Sequence, residues 1–252
     1  MQSSLKLRII PVLTFNGFAL VKTKKFANPR MVGNPVQTAR LYNSRGVDEL
    51  VFLDIYASEQ DRKINLKLVS DVIKECFMPV SIGGGIKSLE DINNLLKIGA
   101  DKVVIKTMAL KEPLLIKEAV SFFGSQCISI ALDVMNIDGE YHINTGSHLE
   151  KSNLTDFIKS MEDCDVGEYL LCSTDDDGMM NGFNIDLINY VSDLTNKPII
   201  AIGGAGNPDH FATLFESTNI EAAASSSIYH FTQYTPQDVK ILLNKRGFNV
   251  RL

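Results

Sequence analysis

The sequence has 252 residues, 45% hydrophobic and 22% charged, with a formal net charge of −5 and an isoelectric point near 5.4. This length is normal for one α/β barrel, whose core needs no disulfide or metal for stability. The acidic balance argues against a nucleic-acid binder, and no segment approaches the roughly 20 apolar residues of a membrane span. Four cysteines lie far apart without a CxxC pair, which is typical of a reduced, cytoplasmic protein.

Eight short apolar runs are predicted to be the strands of a parallel sheet, because continuous apolar character is typical of strands buried on both faces. The stretches between them, such as 63–76, 88–99 and 185–195, carry apolar residues at helical spacing. Eight such units favour a single (β/α)8 TIM barrel spanning 1–252. The predicted strands are 7–13, 49–53, 78–82, 102–106, 127–132, 168–173, 198–202 and 221–225.

An internal repeat with a period of about half the chain supports this prediction. Four matches share nearly one offset, as expected for a barrel made of two similar halves. Their C-terminal strand ends are the face where barrel enzymes place their chemistry. The matches are Ile82–Gly85 with Ile202–Ala205, Asp54 with Asp175, Thr107 with Ser226 or Ser227, and Thr14 with Asp133.

Two glycine clusters that follow strands predict phosphate sites, because glycine lets backbone N–H groups approach an anion. A single Gly-Gly pair is more often a tight turn. Two at equivalent positions of a duplicated barrel indicate a small-molecule ligand phosphorylated at both ends. The predicted sites are Gly84, Gly85 and Thr107 in the first half, and Gly203, Gly204, Ser226 and Ser227 in the second.

Three carboxylates also end strands at this face: Asp54, Asp133 and Asp177 or its neighbours. Asp133 closes the apolar run SIALD and is the candidate general acid or base, with a helix cap or turn as the alternative. The segment DDDG at 175–178 lacks the remaining ligands of a calcium site, so Asp177 and Gly178 are predicted to form a turn that faces substrate hydroxyls.

The histidines show no spacing typical of metal ligands. His142, His148 and His210 are therefore given no metal role, and neither a metal nor a cofactor is expected. His230, just after the last predicted strand, could bond a substrate or serve a structural role. The polar stretch 22–35 is predicted to be a long loop, either a mobile lid over the site or a disordered surface loop.

Charged residues begin four of the predicted strands: Arg8, Glu49, Lys102 and Glu168. A barrel would bring them together in a ring of alternating charge at its N-terminal face. Residues there normally stabilise the barrel. The alternative role is a gate over a passage along the barrel axis.

These residues match a known pattern, and the chain resembles the cyclase subunit (HisF) of imidazole glycerol phosphate synthase over nearly its whole length. The similar segments include DELVFLDI, GGGI, GADKV, FGSQ, DDDG and the final GFNVRL.

That resemblance implies a barrel that receives ammonia from a glutaminase docked on its N-terminal face. It places Arg8, Glu49, Lys102 and Glu168 at the ammonia gate and Asp101 at a docking position. Asp133 corresponds to one of two catalytic aspartates, and Lys22 to the lysine of a mobile loop.

The sequence departs from the family pattern where the substrate would lie. Thr14 replaces the second catalytic aspartate, and a hydroxyl cannot take a proton at neutral pH as a carboxylate can. Lys106 replaces an asparagine near the first phosphate, and Ile202 replaces a serine near the second. The gate residues are retained, which suggests a kept ammonia supply and a changed acceptor.

Three functions remain open at this point. The departures and the segments PVL-F-NG and VKT-KKF-NPR are similar to a branch that works with a glutaminase and a sugar amidotransferase in making acetamidino sugars of surface polysaccharide. Participation in acetamidino-sugar synthesis is therefore the preferred hypothesis. The alternatives are the cyclase of histidine biosynthesis itself, with Thr14 tolerated, and a barrel without turnover that activates or scaffolds a glutaminase.

Overall fold

The computed structural model describes residues 5–144 and 152–252. Its strands are β1 (Arg8–Phe15), β2 (Leu20–Lys24), β3 (Ala27–Gly33), β4 (Leu50–Asp54), β5 (Val80–Gly83), β6 (Lys102–Ile105), β7 (Ile128–Ile137), β8 (Glu140–Ile143), β9 (Ser152–Asn153), β10 (Glu168–Ser173), β11 (Ile199–Ile202) and β12 (Ala222–Ser225). Its helices are α1 (Pro35–Ser44), α2 (Leu66–Ile73), α3 (Leu89–Lys97), α4 (Thr107–Lys111), α5 (Pro113–Phe123), α6 (Leu154–Glu162), α7 (Ile185–Ser192), α8 (Pro208–Ser217), α9 (Ser227–Phe231) and α10 (Pro236–Lys245).

Eight of these strands form a closed parallel barrel in the order β1, β4, β5, β6, β7, β10, β11, β12. The barrel closes where β12 pairs with β1, with Arg8 opposite Ala222, and its two halves meet where β7 pairs with β10. Helices lie between successive strands. The prediction of a (β/α)8 barrel is confirmed. Each of the eight predicted strands is present: 168–173 has the bounds of β10, and the other seven differ by one to five residues at one or both ends.

Polar caps define where most helices begin. The side-chain oxygen of each cap accepts a hydrogen bond from the backbone N–H three residues later, which satisfies a donor that the first helical turn leaves free. Proline at the first helical position of α1, α5, α8 and α10 lacks that N–H and fits the same place. The capping residues are Asn34, Asn65, Ser88, Asn153, Asn184, Asn207 and Thr235.

The barrel interior is filled by a compact apolar cluster, separate from the larger core between strands and helices. Alternate residues of each strand point inward, so the members of this cluster identify which positions face the axis. They are Ile10, Val12, Val51, Val104, Leu170, Ile200, Ala222 and Ala224, with Leu53, Ala131 and Ile202 packed against them.

The two halves of the barrel repeat each other in structure as well as in sequence. The first strand of each half is followed by an antiparallel hairpin, β2–β3 after β1 and a second hairpin that β7 forms with β8. The fourth strand of each half is followed by a five-residue helix, α4 or α9, and then by a longer helix that begins with proline. The predicted half-barrel duplication is therefore confirmed.

The prediction of a loop over 22–35 is wrong, because most of this segment is the hairpin β2–β3. Lys24 pairs with Ala27 across a two-residue turn whose residues, Lys25 and Phe26, have φ values of 49° and 61°. Turns with two positive φ values match the twist of hairpin strands but usually carry Asn-Gly. Lys-Phe gives no such signal, so the turn could not be seen in the sequence.

Two further sequence expectations concern parts of the chain outside the barrel strands. His148 lies outside the described residues. Within the described ranges, no helix combines the length and apolar character that crossing a membrane requires.

Candidate functional site

The C-terminal ends of the barrel strands carry a layer of inward-facing side chains above the apolar cluster. On five of the eight barrel strands they continue the alternation of that cluster toward the strand end, and one of them, Ile202, also packs against the cluster. We call this set the mouth layer: Thr14, Lys106, Asp133, Cys172 and Ile202. Candidate residues from both halves of the sequence therefore meet at one end of the barrel.

Asp133 is paired with Lys106 across neighbouring strands. Nζ of Lys106 donates to Oδ2 of Asp133 at 2.7 Å, and the two side chains are 27% and 18% exposed. The charge of Asp133 raises the pKa of Lys106, which therefore stays protonated. Beside them, burial raises the pKa of Cys172 well above its usual value, and the carboxylates of Asp177 and Asp133 act in the same direction. The pair is accessible from the mouth, whereas Cys172 is a neutral, buried thiol.

Thr14 is occupied by a local contact. Its Oγ1 donates a hydrogen bond to the carbonyl oxygen of Val21, which ties the end of β1 to the first strand of the hairpin. The hydroxyl therefore positions the hairpin.

The hairpin β2–β3 lies against the loop that follows β10. Nζ of Lys22 donates to Oδ1 of Asp177 at 2.6 Å, with both side chains 6% exposed. Thr23 Oγ1 reaches the other oxygen of Asp177 at 3.2 Å, and the backbone N–H of Lys25 donates to the Asp177 carbonyl at 2.8 Å. A Cβ on Gly178 would lie 2.4 Å from the Thr23 carbonyl oxygen. Asp177 and Gly178 thus hold the hairpin in this conformation.

Both glycine turns have left-handed backbones, but the reason for glycine is packing against another loop. A Cβ on Gly84 (φ +116°) would lie 2.3 Å from the Asp54 carbonyl oxygen, and one on Gly204 (φ +88°) would lie 1.9 Å from the Gly182 carbonyl oxygen. Each turn therefore closes over the loop of the preceding unit. Packing against the neighbouring backbone therefore accounts for glycine at both positions, whether or not a ligand binds there.

Buried hydroxyl groups lie beside the second glycine turn. Oγ of Ser226 and Oγ of Ser227 are buried and have no hydrogen-bond partner among the described residues. Oγ1 of Thr174, just after β10, is in the same state. Buried polar atoms normally find a partner, so such groups at a strand end indicate a place for a polar ligand or water. Thr174 was missed by sequence reasoning, because one threonine after a strand gives no signal.

The other carboxylates at these strand ends have structural partners. Asp54 is fully buried in a bidentate ion pair with Arg62, at 2.5 and 2.6 Å, so it supports the loop after β4 and does not face the mouth as expected. Asp175 accepts from the backbone N–H of Asn136 at 2.9 Å. Asp176 accepts from the Ser173 hydroxyl at 2.6 Å and from an Asn184 amide.

Within the described residues no group of three His, Cys, Asp or Glu side chains could hold a metal ion.

His230 lies near the hairpin, on the short helix after β12. Burial lowers its pKa to about 4, and the charge of Lys22 acts in the same direction. His230 is therefore neutral at pH 7.

The opposite end of the barrel is closed by the four charged residues that begin strands. Arg8 Nη1 lies 2.7 Å from Glu49 Oε1 and 3.5 Å from Glu168 Oε2. Lys102 Nζ lies 2.9 Å from Glu168 Oε1 and 3.5 Å from Glu49 Oε2. Ser129 Oγ donates to Glu168 at 2.9 Å. These contacts complete a charge ring, formed by Arg8, Glu49, Lys102 and Glu168, across the barrel axis.

A groove of about 380 Å³ lies on the same rim as the charge ring. Phe77, at its edge, is 91% exposed, and Asp101 lines it beside Lys102. Oδ2 of Asp101 accepts the backbone N–H of Val80 at 2.8 Å, so the carboxylate is held at the surface. The groove is lined mainly by apolar residues, and an exposed apolar patch with a polar edge is typical of a protein-binding surface.

Comparison with known proteins agrees with this architecture. The family described as "Histidine biosynthesis protein" matches residues 8–235. The chain is 40% identical over 250 residues to the imidazole glycerol phosphate synthase subunit HisF of Streptococcus mutans, covering 98% of this chain and all of that protein. The chain belongs to the HisF family.

Two further relatives of the same name support this assignment. The HisF subunit of Exiguobacterium sp. is 41% identical over 249 residues, 98% of this chain and 97% of that protein. The HisF subunit of Flavobacterium psychrophilum is 42% identical over 247 residues, 97% and 98% of the two chains. The resemblance stated from sequence motifs is confirmed at the level of this family.

Proposed function

We propose that this chain is the ammonia-using barrel subunit of a glutamine-dependent synthase of the imidazole glycerol phosphate synthase type. The observation that carries the proposal is the charge ring, which spans the axis at the end of the barrel opposite the mouth layer. Bringing four charged side chains together at a barrel end carries a desolvation cost, whereas apolar residues fill the interior behind them. As a gate, the ring would admit ammonia toward the mouth.

The proposed substrate is a small molecule with phosphate groups at its two ends. The duplicated barrel offers two equivalent glycine turns, and buried hydroxyls without partners lie beside the second. The first pocket is assigned to Gly84, Gly85, Lys106 and Thr107. The second is assigned to Gly203, Gly204, Ser226 and Ser227.

A glutaminase is the proposed partner, docked on the rim that carries the charge ring. The support is the groove beside Asp101 and the exposed Phe77. To test this, the glutaminases of the same organism would be co-expressed with the chain and pulled down. Charge reversal at Asp101 (Asp101→Lys) should weaken capture, and Asp238→Lys, on α10, should not. A barrel that captures no glutaminase would contradict the proposal.

The acceptor of the ammonia has two candidates. The names of the relatives favour the cyclase reaction of histidine biosynthesis, with Asp133 as general acid or base. The second candidate is amidination of an N-acetylated nucleotide sugar together with a sugar amidotransferase, considered because the candidate acid–base groups are engaged in the mouth layer. There Thr14 holds the hairpin and Lys106 neutralises Asp133, which leaves no free carboxylate in this layer.

Complementation separates the two candidates. If the chain catalyses the cyclase reaction, a cyclase-deficient strain that carries this chain and its glutaminase should grow on histidine-free medium. Failure that Thr14→Asp repairs would identify the missing carboxylate as the cause, since general acid–base groups contribute about 10²–10⁴-fold. Glutamine-dependent amidination that requires this chain would support the second candidate. If Asp133→Asn changed neither activity, the barrel would act only as an activator or scaffold of the glutaminase.

A further inference from the structure

Lys106 occupies a position between two parts of the proposed site. It follows β6, whose neighbours in the barrel are β5 on one side and β7 on the other. β5 leads into the first glycine turn, and β7 carries Asp133, the present partner of Lys106. Thr107, the next residue, begins the short helix α4. The ammonium group of Lys106 therefore lies beside the candidate base, while its backbone follows a strand that neighbours the one leading into the first glycine turn.

The ion pair with Lys106 occupies the candidate base, Asp133. The ammonium group of Lys106 lies 2.7 Å from Oδ2 of Asp133 and occupies this oxygen, so it is not open to a substrate proton. Asp133 can serve as a general base only after Lys106 moves or is drawn to another acceptor. Thr14, the other polar side chain of the mouth layer at a strand end, is bonded to Val21 and offers no substitute.

Lys106 can make that move. Its side chain is partly exposed, and a lysine has a flexible stem with three donors that can serve two acceptors in turn. Lys22 provides a contrast, because its side chain is 6% exposed and its pair with Asp177 is buried between the hairpin and the loop after β10. Of these two ion pairs, the one in the mouth layer is the one a ligand can reach.

We propose that Lys106 is shared between Asp133 and an anionic oxygen of the ligand, so that an anion bound at the first glycine turn withdraws the ammonium and frees Asp133. This inference rests on the proposed first phosphate pocket. It makes Lys106 a specificity residue, because a ligand without a phosphate or carboxylate at that end leaves Asp133 paired. A doubly phosphorylated substrate would then activate the base by binding, and a fragment lacking the first anionic group would not.

Inorganic phosphate is the probe for the test. The protein would be labelled with ¹⁵N-glycine and ¹⁵N-threonine, and phosphate titrations would be followed through the amides of Gly84, Gly85 and Thr107. The phosphate affinity would be measured for four proteins that make up a double-mutant cycle: the unmodified chain, Lys106→Met, Asp133→Asn and the double variant. Thermal unfolding of each form checks that it is folded at the titration temperature.

The expected result is an effect of Asp133 that depends on Lys106. Asp133→Asn should tighten phosphate binding roughly 10-fold, because Lys106 no longer has to leave a carboxylate, and Lys106→Met should weaken it by a similar factor. In the Lys106→Met background, Asp133→Asn should change the affinity less than about twofold.

Other outcomes overturn the inference in distinguishable ways. If Asp133→Asn tightened phosphate binding equally with Lys106 present and with Lys106→Met, the loss of negative charge would act independently of Lys106. That result would refute the sharing and leave the proposed phosphate pocket supported. An unchanged affinity in Lys106→Met would likewise refute the sharing alone. If the three amides of the unmodified chain did not respond to phosphate, the first pocket would fall as well.

Discussion

Nζ of Lys22 and Oδ1 of Asp177 lie 2.6 Å apart, although 155 positions separate the two residues in the sequence. Lys22 belongs to the hairpin of the first half-barrel, and Asp177 belongs to the loop after the second strand of the other half. One buried ion pair therefore joins the halves across the mouth. It also fixes the hairpin that the sequence suggested was a loose cover.

Removing either partner of this pair should loosen the hairpin. Lys22→Met leaves the Asp177 carboxylate buried without its cation, which should lower the free energy of unfolding by about 3 kcal/mol. Hydrogen exchange in Leu20–Gly33 should accelerate more than exchange in the barrel strands. Lys24→Met, an exposed lysine of the same hairpin, is the matched control.

The double variant separates charge from packing. Lys22→Met combined with Asp177→Asn removes both charges, so it should be more stable than the single lysine variant. If the single variant unfolded at the same temperature as the unmodified chain, the ion pair would not be what holds the hairpin.

The charge ring gives a second prediction. Arg8→Met leaves Glu49 and Glu168 facing each other with only Lys102 between them, and the free energy of unfolding should fall by about 2–3 kcal/mol. Chemical denaturation measures this loss. Arg40→Met, in an exposed pair with Glu75, should leave the denaturation midpoint unchanged and serves as the control.

Activity assays would test the proposed gate. With the glutaminase partner, Arg8→Met should lower glutamine-driven turnover relative to turnover with added ammonium salt. Equal losses with both nitrogen sources would indicate a structural role for the ring.

The barrel fold could be predicted because the patterns that indicate it lie within short segments of the sequence. Each strand is a short apolar run closed by polar residues, and the period of about 120 residues aligned the two halves. The hairpin could not, since its turn uses Lys25 and Phe26 at positive φ without the glycine that normally marks such a turn. The sequence pattern therefore predicted where the strands end, but it did not predict the hairpin β2–β3 that lies over those ends.

Ion-pair partners at the site were the other unpredicted feature. Asp133 and Asp54 were both candidates from strand position, yet one points into the mouth layer and the other into a structural pair with Arg62. A difference of one residue in strand parity decides between these directions. Single-sequence patterns fix strand ends only to within a few residues, so that parity had to come from the structure.

The second glycine turn provides a test of loop packing. Gly204→Ala puts a Cβ 1.9 Å from the Gly182 carbonyl oxygen, and the chain must shift to relieve this contact. We expect a loss of stability of more than about 3 kcal/mol, or failure to fold. Gly182→Ala has a similar positive φ but meets nothing within 4 Å, so it isolates the cost of backbone strain, about 1–2 kcal/mol. Equal midpoints for the two variants in urea would contradict the packing explanation.

His230 predicts how stability depends on pH. Its pKa is about 4 in the folded chain, because of burial first and the charge of Lys22 second, and about 6.5 when unfolded. The unfolded chain therefore binds more protons between these values, so this contribution is complete above pH 6.5 and is lost as the pH falls toward 4. The loss should be at most about 3.4 kcal/mol.

Urea midpoints at pH 7.0, 6.0 and 5.0 would measure this contribution. His230→Gln, which cannot be protonated in this range, should show a shallower decline than the unmodified chain. Lys22→Met should also reduce the decline, because it removes the second cause of the lowered pKa of His230. Parallel declines in the unmodified chain and in His230→Gln would show that other groups carry the acid sensitivity, and that His230 is not held neutral beside the docked hairpin.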